Sequence, residues 1–332
     1  MPGSPQARPP FFLVAVALGL LLPLTAAAQP GTVETVVLFD SMALETPESV
    51  VVDRHGTLFV GSAFTAEIFS LTPDGTLGVF AALPVANPGV PCVDGGLPAI
   101  LGALTLGVRG TLYANFAACD LEHRGVWRLD PDGSAERIVP LGPDILPNGI
   151  ARVDDRLYIA DSLGQILTAP ITGGSADQWS ADPSLAEDPD VFGPGPNGIQ
   201  YFEGELYVAN SDTAQILAFE LLEDGSAGDP RLHVQLPVGC DDFAFDIRGA
   251  MFCTTDPANT VLEISPDGQT ITTIADDLFD GPTAAAFGRR SADRLDLYVT
   301  NAAFPFFTTM NRPSLMKVEL EHPGLERVTT RR

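Results

Sequence analysis

The fold class this sequence predicts is all-β: a six-bladed propeller of four-stranded blades, with an N-terminal strand closing the last blade. Three observations predict it. One hairpin pattern recurs six times, as ESVVVDRHGTLFVGS (48–62), GALTLGVRGTLYAN (102–115), PNGIARVDDRLYIADS (147–162), GPNGIQYFEGELYVANS (195–211), CDDFAFDIRGAMFCTT (240–255) and GPTAAAFGRRSADRLDLYVTN (281–301). With Glu48, Gly102, Asn148, Asn197, Asp241 and Thr283 as equivalent starts, the intervals are 54, 46, 49, 44 and 42 residues, the spacing of propeller blades. A second set of turn signals follows the hairpins: TPDG (72–75), TGG (172–174), DPDG (130–133), EDG (223–225) and SPDG (265–268). In these, Pro pre-sets φ and Gly accepts positive φ.

The elements follow in chain order. Residues 1–28 have the form of a signal peptide. Arg8 is basic, Phe11 to Leu24 is apolar, and Ala26 to Ala28 precede Gln29 as a small-residue cleavage site. The alternative is an uncleaved anchor. Residues 29–332 form the single propeller domain, exported to the periplasm or beyond. The run Thr32 to Phe39 is β-like. Each repeat then yields four strands, except the last, which supplies three and leaves the Thr32–Phe39 run to complete it. Closing the blades into a ring covers their faces and leaves only short edges. The connections at 84–100, 179–192 and 301–313 are loop-like and long enough for a rim or lid. No amphipathic helical stretch competes.

The formal charge is −25, with a single lysine, Lys317. So acidic a surface repels phosphate backbones and anionic lipid heads, which excludes nucleic acid and membrane-surface partners and attracts cations. After signal removal no segment has the roughly 18 apolar residues needed to span a bilayer. A monomer is expected. Of the four cysteines, Cys240 and Cys253 flank one hairpin and can meet across it, leaving Cys92 with Cys119. Four free buried thiols are the alternative. No Cys or His spacing matches a structural zinc site.

In a propeller, the leading residues of every first strand converge on the channel. Here these are Glu48, Gly102, Asn148, Asn197, Asp241, Asp242 and Thr283. Carboxylate and amide oxygens are hard ligands, which suit Ca²⁺ best, with Mg²⁺, Mn²⁺ or Zn²⁺ as alternatives. Alternatively, Asn-Gly and Asp-Asp are ordinary turn residues before strands. Gly193 to Gly198 spells GxGxxG, but no helix follows, so a dinucleotide loop is not supported. There is no GxSxG or HExxH motif. His55, His123, His233 and His322 lie in turns or tails, away from channel positions, as solvated residues. Phe304-Pro305-Phe306-Phe307 either covers the channel mouth or packs between blades.

These hairpins resemble the gluconolactonase, senescence-marker and luciferin-regenerating-enzyme family, and more distantly the paraoxonases and diisopropylfluorophosphatase. The resemblance covers Glu48 to Leu320 and implies one catalytic divalent cation in the channel. Glu48 in PESVVVD is similar to the family's first-blade glutamate ligand, and Asn197 in PNGI to its asparagine ligand. Asn148 resembles the asparagine beside the metal, which touches substrate or metal. Asp241 or Asp242 in DDFAFD resembles the aspartate that serves as ligand and base, and GPTAAAFG (281–288) the start of the last blade. An Asp-Asp pair replaces the usual Asp-Gly, so either aspartate can be the ligand. Gly102 offers no ligand, and the family's substrate-contacting arginines and the paraoxonase channel histidines have no evident counterpart. The function implied is an exported cation-dependent hydrolase of a small lactone or ester, a lactonase first. In it the cation polarises the carbonyl and activates water. The alternatives are a non-catalytic binding propeller with a structural metal, or a metal-free enzyme similar to strictosidine synthase.

Overall fold

Among the described residues, twenty-four strands in six antiparallel four-stranded sheets build a propeller. The computed structural model describes residues 32–92, 96–187, 194–275, 278–305 and 310–325. The expected signal peptide (1–28), Gly193 of the GxGxxG run, and Phe306 and Phe307 lie outside the described residues.

Blade one holds β2 (Pro47–Val52), β3 (Leu58–Ser62), β4 (Glu67–Leu71) and β5 (Leu77–Ala82). Blade two holds β6 (Ile100–Leu106), β7 (Leu112–Ala117), β8 (Gly125–Leu129) and β9 (Ala135–Pro140). Blade three runs through β10 (Pro147–Val153), β11 (Arg156–Asp161), β12 (Gln165–Pro170) and β13 (Asp177–Ser180). Blade four comprises β14 (Pro196–Phe202), β15 (Glu205–Asn210), β16 (Gln215–Glu220) and β17 (Arg231–Gln235). Blade five comprises β18 (Phe243–Phe245), β19 (Met251–Thr255), β20 (Thr260–Ile264) and β21 (Ile271–Ala275). Blade six takes β22 (Pro282–Phe287), β23 (Asp296–Asn301) and β24 (Ser314–Glu319) from one end of the chain, and β1 (Val33–Leu38) from the other. The expected closure is therefore present: β1 pairs antiparallel with β24, Val33 opposite Val318 and Leu38 opposite Ser314.

Burial follows strand position. The second strands β3 and β7 are buried at every residue, because neighbouring blades cover both faces. Outer strands such as β5 are mostly exposed. The core is accordingly divided into layers between blades. The layer closing the ring packs Val50, Leu58 and Val60 of blade one against Ala284, Tyr298 and Leu315 of blade six. The hairpin turns behave as their residues dictate. Glu203 and Gly204 both hold positive φ (46° and 94°), the geometry that matches the twist of a two-residue hairpin.

Both expected disulfides form, Cys92–Cys119 and Cys240–Cys253. Two details differ from the sequence reading. Trp179 belongs to strand β13 rather than a loop, because its ring packs on Tyr158 of its own blade (5.3 Å) and Phe219 of blade four (5.8 Å). His233 is half-buried rather than solvated, edge-on to Tyr207 at 5.2 Å, and burial lowers its pKa.

In this topology, the connections from each fourth strand to the next first strand share a face with the loops between second and third strands. The starts of all six inner strands open on that face. Cys92 lies in one such connection and Cys119 in such a loop, so their bond staples the rim there. Phe304, in another, packs on Phe64 at 5.5 Å, between blades six and one.

Candidate metal and substrate site

Six leading residues of the inner strands meet. Glu48, Asn148, Asn197, Asp241, Asp242 and Thr283 line one small cavity of about 10 Å³, the room a single water-sized sphere requires. Gly102 is not part of this lining; a side chain there would run into the Asn148 carbonyl.

The glycines of the two PNG runs have a reason that is not a turn. A Cβ on Gly149 would collide with the Asn197 carbonyl, and one on Gly198 with the Asp242 carboxylate and the Asp241 carbonyl. These residues let successive inner strands close around the axis. The Gly198 N–H donates to the Asp241 carbonyl at 2.8 Å.

A belt of second-strand side chains holds the ring of inner strands in place. The Asn115 amide donates to the carbonyls of Asn148 (3.0 Å) and Gly149 (2.9 Å). Ser162 Oγ donates to the Pro196 carbonyl (3.1 Å), and Ser211 Oγ to the Cys240 carbonyl (2.5 Å). Thr254 Oγ1 donates to the carbonyls of Asp242 (2.8 Å) and Thr283 (2.9 Å). Thr300 Oγ1 reaches the Glu48 carbonyl at 3.5 Å. The serines also receive the candidate ligands: Asn148 Nδ2 donates to Ser162 Oγ (3.3 Å) and Asn197 Nδ2 to Ser211 Oγ (3.2 Å). Each amide oxygen is thereby fixed in the opposite direction. Sequence reasoning missed this belt. Its signal is the polar pair ending the second strand of each later repeat, as in Asp161-Ser162, Asn210-Ser211, Thr254-Thr255 and Thr300-Asn301.

The electrostatics are one-signed. The Glu48 pKa is raised well above normal by burial first, then by Asp241, Asp256 and Asp242. That of Asp241 is raised by burial, then by Asp256 and Asp242, against a lowering hydrogen bond from Asn197. Among the described residues, no cationic side chain is among the causes of either shift. Glu48 Oε2 is buried without a hydrogen-bond partner, an arrangement that costs free energy unless a donor or cation completes it. Asp242 Oδ1 accepts from Gln200 Nε2 at 3.2 Å. Asp256, just after β19, was also missed; burial and Asp280 raise its pKa to about 6.

Among the described residues, no three His, Cys, Asp or Glu side chains form a metal-binding group on their own. The candidate set mixes carboxylates with the two asparagines. An orphaned carboxylate oxygen, a cavity of single-ion size and hard oxygen donors fit a divalent cation such as Ca²⁺.

Residues 194–303 match the family model of the SMP-30/Gluconolactonase/LRE-like region. That stretch, about a third of the chain, is similar to the SMP-30/gluconolactonase/LRE-like family. It contains Asn197, Asp241, Asp242 and Thr283, so the resemblance read in the hairpins is to this family. Among solved structures, the luciferin-regenerating enzyme superposes with a TM-score of 0.67 at 14% identity, covering 91% of this chain and 100% of that one. The calcium-binding protein regucalcin from Agrobacterium tumefaciens gives 0.66 at 16%, covering 90% and 97%. A gluconolactonase from Xanthomonas campestris gives 0.60 at 17%, covering 88% and 89%. At these identities the likeness shows the shared propeller. No curated protein sequence matches the chain.

Proposed function

We propose that this gluconolactonase-like propeller is an exported, cation-dependent hydrolase of small lactones or esters. The observation that carries the reading is the convergence of Glu48, Asn197 and Asp241 on one small cavity, with Glu48 Oε2 buried and unpartnered. Similarity to a gluconolactonase and to a calcium-binding regucalcin supports the lactone and the cation. The two disulfides support an extracellular or periplasmic location.

In this reading, Glu48, Asn197 and Asp241 hold the divalent cation. The cation, when bound, supplies Lewis acidity toward a carbonyl oxygen and lowers the pKa of water. Asn148 orients the substrate by an amide hydrogen bond. Asp242, the carboxylate in contact with Gln200, takes the proton of the attacking water. The water oxygen bonds to the carbonyl carbon, the ring C–O bond breaks, and the leaving alkoxide recovers a proton, giving a hydroxy acid. The Asp256 charge bears on both Glu48 and Asp241 and keeps the potential there negative, which favours cation retention.

The test is turnover of a panel of sugar, aliphatic and aryl lactones and aryl esters by the purified protein. Hydrolysis that disappears with Asp242→Asn supports the assignment. Tight cation binding with no hydrolysis of any member assigns the propeller to ligand binding instead.

A further inference from the structure

The face opposite the site holds a groove of about 470 Å³ between blades one and two. This size is typical of small-molecule pockets. Its walls are the first hairpin turns of the two blades, Asp53 to His55 and Gly107 to Gly110, with Pro131 beside them. The floor is aromatic and aliphatic. Phe59 and Phe80 stand edge to face at 4.9 Å, next to the buried Leu106.

Four arginines line this groove: Arg54, Arg109, Arg152 and Arg289. The chain carries 43 acidic residues against 18 Lys and Arg, so carboxylate partners are abundant. Four arginines elsewhere have taken some of them: Arg128, Arg231, Arg248 and Arg290 make ion pairs with Asp or Glu. None of the four groove arginines makes an ion pair among the described residues. Arg289 and Arg290 are sequence neighbours, yet only Arg290 pairs, with Asp293 at 2.9 Å.

Arg152 is the deepest of the four, only 8% exposed. Its guanidinium donates to the main-chain carbonyls of Leu106 (3.1 Å) and Asp154 (2.6 Å); burial lowers its pKa, against support from Tyr113 and then Asp154. Arg54 Nε donates to His55 Nε2 at 3.0 Å, an imidazole nitrogen rather than a carboxylate. The carboxylate in the lining, Asp53, is turned to its own loop, where Oδ1 accepts from the N–H groups of His55 (2.8 Å) and Thr57 (2.9 Å). Positive charge thus gathers over an apolar floor, on a molecule whose net charge is strongly negative.

We propose that this groove is a second ligand site, one that binds a small organic anion. The ligand has a carboxylate or phosphate head held by the guanidinium forks and an aromatic or alkyl body lying on Phe59, Phe80 and Leu106. Guanidinium forks match both head groups bidentately, and arginine at a water-excluded edge keeps its charge. The site is independent of the hydrolase reading, since it lies on the other face and uses none of the channel carboxylates.

Isothermal titration of the mature protein at constant ionic strength tests it, with three probes: phenyl phosphate, phenylacetate and inorganic phosphate. One aromatic anion is expected to bind at one per chain and at least about tenfold more tightly than inorganic phosphate, a difference of about 1.4 kcal/mol. Which aromatic probe binds better identifies the head group. The double variant Arg54→Ala/Arg109→Ala, changed only at exposed side chains, should lose at least about tenfold in affinity, while Arg231→Ala on blade four should lose nothing. The proposal is overturned if neither aromatic probe saturates the protein by about 10 mM, if inorganic phosphate binds as well as both, or if the double variant binds unchanged.

Discussion

Asn197 and Ser211 face each other across the first hairpin of blade four, the Asn197 amide donating to Ser211 Oγ at 3.2 Å. The same hydroxyl donates to the carbonyl of Cys240, the residue before Asp241. One serine therefore sets both a candidate ligand on its own blade and the backbone that presents another on the next. Asn148 and Ser162 repeat the arrangement one blade earlier, with the Pro196 carbonyl as acceptor. Outer groups of this kind orient ligands and are worth about 10- to 100-fold in metal affinity.

Ser211→Ala is therefore expected to weaken calcium binding by about tenfold and to lower stability by about 1–2 kcal/mol, the cost of leaving a buried carbonyl without its donor. Calcium titration calorimetry and urea unfolding measure the two effects. Unchanged values in both would show that the belt does not position the site.

Asn148 and the aspartates separate binding from turnover. Asn148→Ala should retain the cation and lose turnover by about 10- to 100-fold, in kcat more than in cation affinity. Asp241→Asn should lose the cation, and Asp242→Asn should keep it while losing hydrolysis. Parallel metal analysis and steady-state kinetics check the three. The reverse pattern for the two aspartates would exchange their roles.

Removing β1 leaves the outer edge of β24 bare. Deleting residues 32–39 removes the Val33–Val318 to Leu38–Ser314 register and the hydrogen bond from Phe39 N to the Pro313 carbonyl (2.9 Å). The expected loss is on the order of 3 kcal/mol, seen as a lower urea midpoint. An unchanged midpoint would mean that the ring does not depend on this closure.

Without a cation, the channel carboxylates should make stability fall as pH rises. Burial, then neighbouring carboxylates, raises the pKa of Glu48 and Asp241 in the folded state, and burial and Asp280 raise that of Asp256 to about 6. The folded protein thus binds more protons than the unfolded chain, so ionising these groups opposes folding. The loss begins in the ordinary carboxylate range of about pH 4 and continues through the raised values. Thermal melts of chelated protein should decline as pH rises from about 4 through the Asp256 value of about 6, and added Ca²⁺ should restore Tm most at the upper end. A calcium effect independent of pH would contradict this electrostatic description.

The ring was legible in the sequence because every blade repeats one hairpin at blade spacing, and because the Thr32–Phe39 run had no partner elsewhere. The leading residues Glu48, Asn148, Asn197, Asp241 and Asp242 were legible because inner strands begin at the channel, so position in the repeat gives position in space. Asp256 was not, since it follows a second strand rather than opening a first one, and it acts on Glu48 and Asp241 through its charge. The belt was hidden for a related reason. Ser211 and Thr254 look like ordinary strand ends until the register between neighbouring blades puts them on Cys240 and Thr283. The arginine groove is drawn from four separated positions, Arg54, Arg109, Arg152 and Arg289, and no local pattern joins them. Trp179 was misassigned because its place in β13 comes from rings on other strands, not from its neighbours in sequence.

The most direct test of the central claim is the divalent-cation content of the purified protein, measured with lactone hydrolysis before and after chelation, for the wild type and Glu48→Gln. The account predicts one cation per wild-type chain, loss of cation and hydrolysis together on chelation, recovery of both with Ca²⁺, and neither in Glu48→Gln. A wild-type protein that hydrolyses lactones at full rate with no bound cation, or a Glu48→Gln variant that keeps both, would contradict it.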